Sequence, residues 1–225
     1  MGETARFSLM ELFRMGGPFM WPLFFFSAAL TAIILERLIY FLRSGPRFGV
    51  IKEKAGEFIR AGELSGAEDY LSGLARRRMG ARIFLAIVKS PELDEQRMER
   101  AAEAEARSCI NSLEEGLSFL TALGSIAQLT GFLGTVSGMI GAFKSIAEAE
   151  ELSAQTAASG VYEALITTVF GLIIAIAAMI AHSLFSHVVD KFAADAEKSC
   201  AELISGLAAE KGRAKTAPAF QERPE

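Results

Sequence analysis

The sequence predicts an all-α integral membrane protein with three transmembrane helices, spans two and three extending into the cytoplasm. Hydrophobic residues make up 51% of the 225, and they are gathered into blocks rather than spread as amphipathic stripes. Met15–Leu35 is uncharged for 21 residues, Gly116–Phe143 for 28 and, with both histidines neutral, Ala164–Val189 for 26. A bilayer core of roughly 30 Å needs about 20 apolar helical residues, and buried soluble helices rarely hold so long an uncharged run. A net charge of −4 gives no reason to expect nucleic acid as a partner.

Residues 1–16 include TARFSLMELFRM, an amphipathic stretch suited to the outer membrane surface. An ordinary helical extension of span one is the open alternative. Span one is placed at 17–43. Its apolar run is too long for a signal peptide, no small-residue cleavage site follows it, and Leu38–Leu42 extends it past Glu36 and Arg37. It is expected to stay attached, with Glu36 and Arg37 anchoring its inner end by snorkelling.

Residues 44–115 read as a cytoplasmic helical domain, its short helices punctuated by Gly62, Gly66, Gly73 and Gly80. Arg76–Arg78 reads as a solvated charge run on a cytoplasmic face, with lipid-headgroup binding as the alternative. SPELDEQ then supplies Ser90 as helix cap, Pro91 at the first helical position and acids in the first turn. One unbroken helix is predicted from about Pro91 to about Ile146, on the order of 80 Å long at the usual rise per residue. Span two is its 116–145 portion. Residues 146–160 form the outer loop, 161–189 span three, and 190–208 its cytoplasmic extension, ending near Gly206. Residues 209–225, with Pro218 and Pro224, are expected to be a disordered tail.

Orientation follows from the basic residues. Arg6 and Arg14 precede span one, whereas Arg37, Arg43, Arg47, Lys52 and Lys54 follow it closely. The connection between spans two and three carries Glu148, Glu150 and Glu151 and no basic residue after Lys144. Positive-inside bias puts the N-terminus and that loop outside and the C-terminus in the cytoplasm. Cys109 and Cys200 are then cytoplasmic, reduced, and without metal-ligand spacing. No metal or cofactor is expected.

Span two raises a question of its own. Gly131, Gly134, Gly138 and Gly141 fall within TGFLGTVSGMIGAF, although a glycine in a water-exposed helix costs about 1 kcal/mol relative to alanine. Counted in sevens, Gly124, Gly131 and Gly138 share one position, and Ala127, Gly134 and Gly141 another. All six lie on one seam at coiled-coil spacing. In lipid, small residues let backbones approach where no hydrophobic effect drives association. The seam therefore packs closely on a helix, either of the same chain or of another copy.

Beside it Thr121, Gln128 and Thr135 also repeat every seven residues. A membrane-embedded amide usually faces protein or water rather than lipid. Thr168 of span three falls at the depth of Thr135, because the two spans run antiparallel. A polar belt at one level suits a pore lining, while each threonine could instead bond back to its own helix. No Asp, Glu, Lys or Arg lies in the middle of any span. A proton path normally needs a titratable group there, so the carboxylate would have to come from another chain.

ALGSIAQLTGFLGTVSGMIGAF at 122–143, SGVYEALITTVFGLIIAIAAMIAHSLF at 159–185 and ERLIYF at the end of span one resemble the MotA/TolQ/ExbB proton-channel family, in its TolQ/ExbB-like branch. The resemblance implies an inner-membrane motor subunit, not an enzyme. Five copies would surround the membrane helices of a small single-span ExbD/TolR-like protein bearing a membrane aspartate. Thr135 and Thr168 correspond to the family's pore threonines, and Glu163 to its acidic residue at the outer end of span three. The resemblance gives Glu163 a role in admitting protons or contacting the partner, with an acid stabilised at a helix start as the plainer alternative. His182 and His187 read as interfacial polar residues. Gln128 and Ala177 stand where relatives commonly carry proline, which leaves span three straighter and the conducted ion, proton or sodium, open. The rival reading is a passive scaffold that oligomerises through the glycine seam.

Overall fold

The computed structural model describes residue 13 and residues 16–44, 48–89, 95–148 and 154–216. Regular structure there is entirely helical: α1 (Met20–Ser44), α2 (Phe48–Arg60), α3 (Leu64–Ala75), α4 (Met79–Val88), α5 (Glu95–Glu114), α6 (Leu117–Glu148) and α7 (Ala154–Thr216). Three stretches are long and apolar enough to cross a membrane, carried by α1, α6 and the first part of α7. The expected fold class is therefore correct. Most of the amphipathic stretch at 4–15, the Ser90 cap and the tail beyond residue 216 lie outside the described residues.

Four boundaries differ from expectation. The single helix predicted across 91–146 is two helices, separated at Glu115–Gly116. Gly116 has φ +83°, a left-handed conformation that a side chain disfavours. The Arg37 guanidinium lies against it, such that a Cβ on Gly116 would stand 3.1 Å from Arg37 Nε. Of the four glycines expected to break the cytoplasmic segment, only Gly62 does so, at φ +74° between α2 and α3. Gly66 and Gly80 sit inside helices where aromatic rings press close. A Cβ on Gly80 would be 3.0 Å from the Phe48 ring, and one on Gly66 3.1 Å from Phe58. Gly73 is likewise helical. The connection expected at 146–160 is shorter, since α6 continues to Glu148 and α7 begins at Ala154. Finally, α7 does not stop near Gly206 but continues to Thr216, through a run of the strong helix formers Ala, Glu, Lys and Arg.

The chain divides into two compact units, Met1–Leu38 with Gly116–Ser186, and Ile39–Glu115 with His187–Glu225. In the first, α1 buries Met20, Leu23 and Leu30 and leaves Trp21, Phe24 and Phe25 exposed. Here α6 and α7 run antiparallel and touch backbone to backbone. A Cβ on Gly124 would come within 2.8 Å of the Ala178 methyl, one on Gly131 within 2.8 Å of the Thr167 carbonyl, and one on Gly138 within 2.9 Å of the Ala164 methyl. On the facing helix, a Cβ on Gly171 would stand 2.7 Å from the Ala127 carbonyl, and one on Gly160 2.8 Å from the Ala142 methyl. Thus the glycine seam is filled from within the same chain. The dispersion contacts of two closely apposed backbones replace the hydrophobic drive that lipid removes.

In the second unit, α4 is buried along most of its length, with Ile83, Phe84 and Ile87 fully enclosed. Phe48 meets the ring of Phe84 at 5.9 Å and that of Phe192 at 5.1 Å. Arg82 pairs with Glu105 at 2.6 Å, and Lys52 with Glu202. Cys109 and Cys200 are both buried and unbridged, and burial pushes the Cys200 thiol up to about 11.

Candidate ion pathway

A threonine in an apolar helix has one hydroxyl hydrogen and two lone pairs, and its own helix offers it a carbonyl one turn back. Thr135 takes that option, donating to the Phe132 carbonyl at 2.6 Å. Its oxygen then remains an acceptor, and it lies 3.3 Å from the Thr168 hydroxyl across the α6–α7 crossing. Thr168 also reaches the Gly131 carbonyl at 3.1 Å. That carbonyl is open to a neighbour because Gly131 carries no side chain and α7 approaches it closely. Two threonines 33 residues apart therefore meet as a pair. For Thr135, the bond back to its own helix and the contact across the crossing coexist.

Thr167, which sequence reasoning misses, is 1% exposed. Its hydroxyl has two acceptors, the Ala164 carbonyl at 2.8 Å and the Gly131 carbonyl at 3.3 Å. On the side away from Thr168 it lines a cavity of about 550 Å³ that also includes Glu163, Tyr162, Ser137 and Ser145. Glu163 is half-buried, and its carboxylate rests directly on Gly17 at φ +65°, in the space a Cβ there would occupy. The acid at the start of span three is thus seated against the entry to α1.

The other predicted residues are placed differently. Thr121 and Gln128 lie on an exposed face of α6, and Thr121 donates to the Ser118 carbonyl at 3.0 Å. Gly124, Gly131, Gly134 and Gly138 pack against α7 as expected. Gly141 does not: a Cβ there would meet nothing within 4 Å, and the residue lines the cavity instead. Beyond Gly138 the packing is continued by Ala142 against Gly160, while the Gly141 side opens onto the cavity. The facing half of the seam is also legible in the sequence, since Ala164, Gly171 and Ala178 repeat every seven residues along span three. Among the described residues, no group of three or more His, Cys, Asp or Glu side chains could hold a metal ion.

Comparison with known proteins carries the assignment further. Residues 75–198, more than half of the chain, match the family described as the MotA/TolQ/ExbB proton channel family. The chain belongs to that family. Its resemblance to individual members is uneven. The biopolymer transport protein exbB1 of Vibrio cholerae is 30% identical over 192 residues, 84% of this chain and 84% of its own length. The Tol-Pal system protein TolQ of Pseudomonas aeruginosa is 34% identical over 113 residues, 48% of this chain and 49% of its length. The biopolymer transport protein ExbB of Pseudomonas putida is 30% identical over 108 residues, 48% of this chain and 32% of its length. The chain thus spans half or less of the last two. The Thr135–Thr168 pair, Thr167 and Glu163 all fall within the segment that the family match covers. This is a multi-pass membrane protein of the TolQ/ExbB-like kind.

Proposed function

We propose that this chain is the proton-conducting subunit of an energy-transducing motor in a bacterial inner membrane. It couples proton motive force to work in the periplasm or at the outer membrane. The observation that carries the reading is the hydroxyl pair Thr135–Thr168, two polar groups 3.3 Å apart in a belt otherwise free of charge. Hydroxyls orient water and pass hydrogen bonds along, but at physiological pH they neither lose their proton nor take up a second one. The titrating carboxylate therefore comes from a partner, a small single-span ExbD/TolR-like protein with an aspartate in its membrane helix. The exposed Gln128 and Thr121 continue the polar stripe of Thr135 along α6. An amide on that face calls for protein or water beside it rather than acyl chains, as a ring of copies around such a partner supplies. Five copies is the number the family resemblance implies. The N-terminus faces the periplasm and the C-terminus the cytoplasm, following the excess of basic residues after span one.

A passive scaffold oligomerising through the glycine seam is disfavoured, because α7 of the same chain occupies the seam. The test is mutational. Thr135→Val and Thr168→Val keep the branched shape, and each is expected to abolish proton-dependent work nearly completely while assembly survives. Normal function in both would sink the motor reading. Native mass spectrometry of gently extracted complexes, showing several copies around a small aspartate-bearing partner, would establish the architecture. A monomer or dimer with no such partner would overturn the motor architecture and leave the glycine seam as the packing of a bundle.

A further inference from the structure

Thr167 and Thr168 are adjacent on α7, so their side chains point about 100° apart around the helix. One faces the cavity beneath Glu163 and the other faces Thr135, yet both hydroxyls reach the same acceptor, the Gly131 carbonyl. Each hydroxyl has a single hydrogen. Thr167 can direct it to Ala164, at 2.8 Å, or to Gly131, at 3.3 Å. Thr168 can donate to Gly131, at 3.1 Å, or to Thr135, at 3.3 Å. Thr135 has its own hydrogen placed on Phe132 and is left to accept.

These alternatives are linked. The Gly131 carbonyl lies inside α6, where its own helix bond takes one of its two lone pairs and leaves one for α7. When Thr167 serves it, the Thr168 hydrogen is released toward Thr135; when Thr167 turns to Ala164, Thr168 serves it. The cavity side of Thr167 is polar and roomy, with Ser137, Ser145, Ser159, Tyr162 and Glu163 around about 550 Å³, enough for several waters. We propose that Thr167 is a positioning residue of the ion path, whose hydroxyl couples the hydration of the Glu163 cavity to the orientation of the Thr135–Thr168 pair. The ligand of the cavity is a hydrated proton, held near the Glu163 carboxylate and hydrogen-bonded at its inner end to Thr167. This deepens the proposed conduction function and rests on it.

The test uses the complex purified through a tagged full-length chain and reconstituted in liposomes, with proton flux followed by an internal pH dye over a range of external pH. Thr167→Val keeps the branched shape and loses the hydroxyl; Thr167→Ser keeps the hydroxyl. Flux through the Val variant is expected to fall about tenfold, as for the loss of one buried hydrogen bond. Its half-saturating proton concentration should rise, and the Ser variant should recover to within about twofold of the parent protein. A merely structural threonine would leave the pH profile in place. Unchanged flux and profile in Thr167→Val, beside a dead Thr168→Val, overturns the proposal and leaves the conduction reading intact. Normal flux in both Thr135→Val and Thr168→Val removes the conduction reading and this one with it. Should the Val variant not assemble, Thr167→Ala against Thr167→Ser decides: equal flux in the two overturns the role of the hydroxyl.

Discussion

Gly131 and Gly171 meet across the α6–α7 crossing with no side chain between their backbones. A Cβ on either would come within about 3.2 Å of the other's Cα, at 3.2 Å from Gly131 and 3.1 Å from Gly171. The nearest atoms are carbonyl oxygens, which cannot swing aside as a flexible side chain would.

Gly131→Ala is therefore expected to destabilise the membrane unit by roughly 1–3 kcal/mol, the usual cost of overpacking a well-filled interior. Gly141→Ala, with open space around it, should be neutral or slightly stabilising through helix propensity, by up to about 1 kcal/mol. Thermal unfolding of the two variants in mild detergent separates them. Equal melting temperatures would mean that the crossing is looser than its geometry.

Gly17→Ala should be damaging for a different reason. Its added methyl falls on the Glu163 carboxylate, and the φ of +65° is itself costly for alanine. Proton-dependent work in this variant is expected to drop about as far as in Glu163→Gln. Full activity would show that the carboxylate need not rest where Gly17 holds it.

The polar stripe of α6 can be mapped by thiol labelling. Gln128→Cys is expected to react with a small water-soluble maleimide in intact membranes, at least about tenfold faster than Leu129→Cys. Both positions are exposed on the single chain, so only water reaching position 128 distinguishes them, thiolates forming in water and not in lipid. Equal rates would place Gln128 against lipid.

Cys200 gives a pH signature. Burial raises its thiol from 9.0 to about 11, so the folded chain keeps the proton where the unfolded chain loses it. The contribution is fully present below pH 9 and is lost as pH rises toward 11. Across that window the parent protein should lose more stability to denaturant than Cys200→Ala does, by at most about 1–2 kcal/mol once solvent screening is allowed for. Parallel pH profiles would mean the thiol is not sequestered.

The spans are legible in the sequence because water-soluble folds seldom leave so many consecutive residues uncharged. Antiparallel counting is then enough to put Thr135 level with Thr168. Glycine is the harder residue. Gly116 follows two glutamates and carries no local sign of a helix end, yet its positive φ makes it one. Gly66 and Gly80 read as breaks, although each sits inside a helix beneath a phenylalanine ring. A glycine at a turn and a glycine at a close contact look identical until the partner is known. The same holds for Thr167: adjacent threonines carry no sign of which one turns toward a cavity.

Because α7 fills the glycine seam from its own chain, the hairpin is complete before any second copy is met. Insertion and assembly are thereby separate events, with separate genetics. A chain defective at Gly131 or Gly171 is expected to fail within its own hairpin, and so to be recessive beside a wild-type copy. A chain altered at Thr135 or Thr168 closes its hairpin normally and joins its sisters. If the chain works in the ring of copies proposed above, such a chain should poison every ring that accepts it in a mixed population, and so behave as a dominant allele.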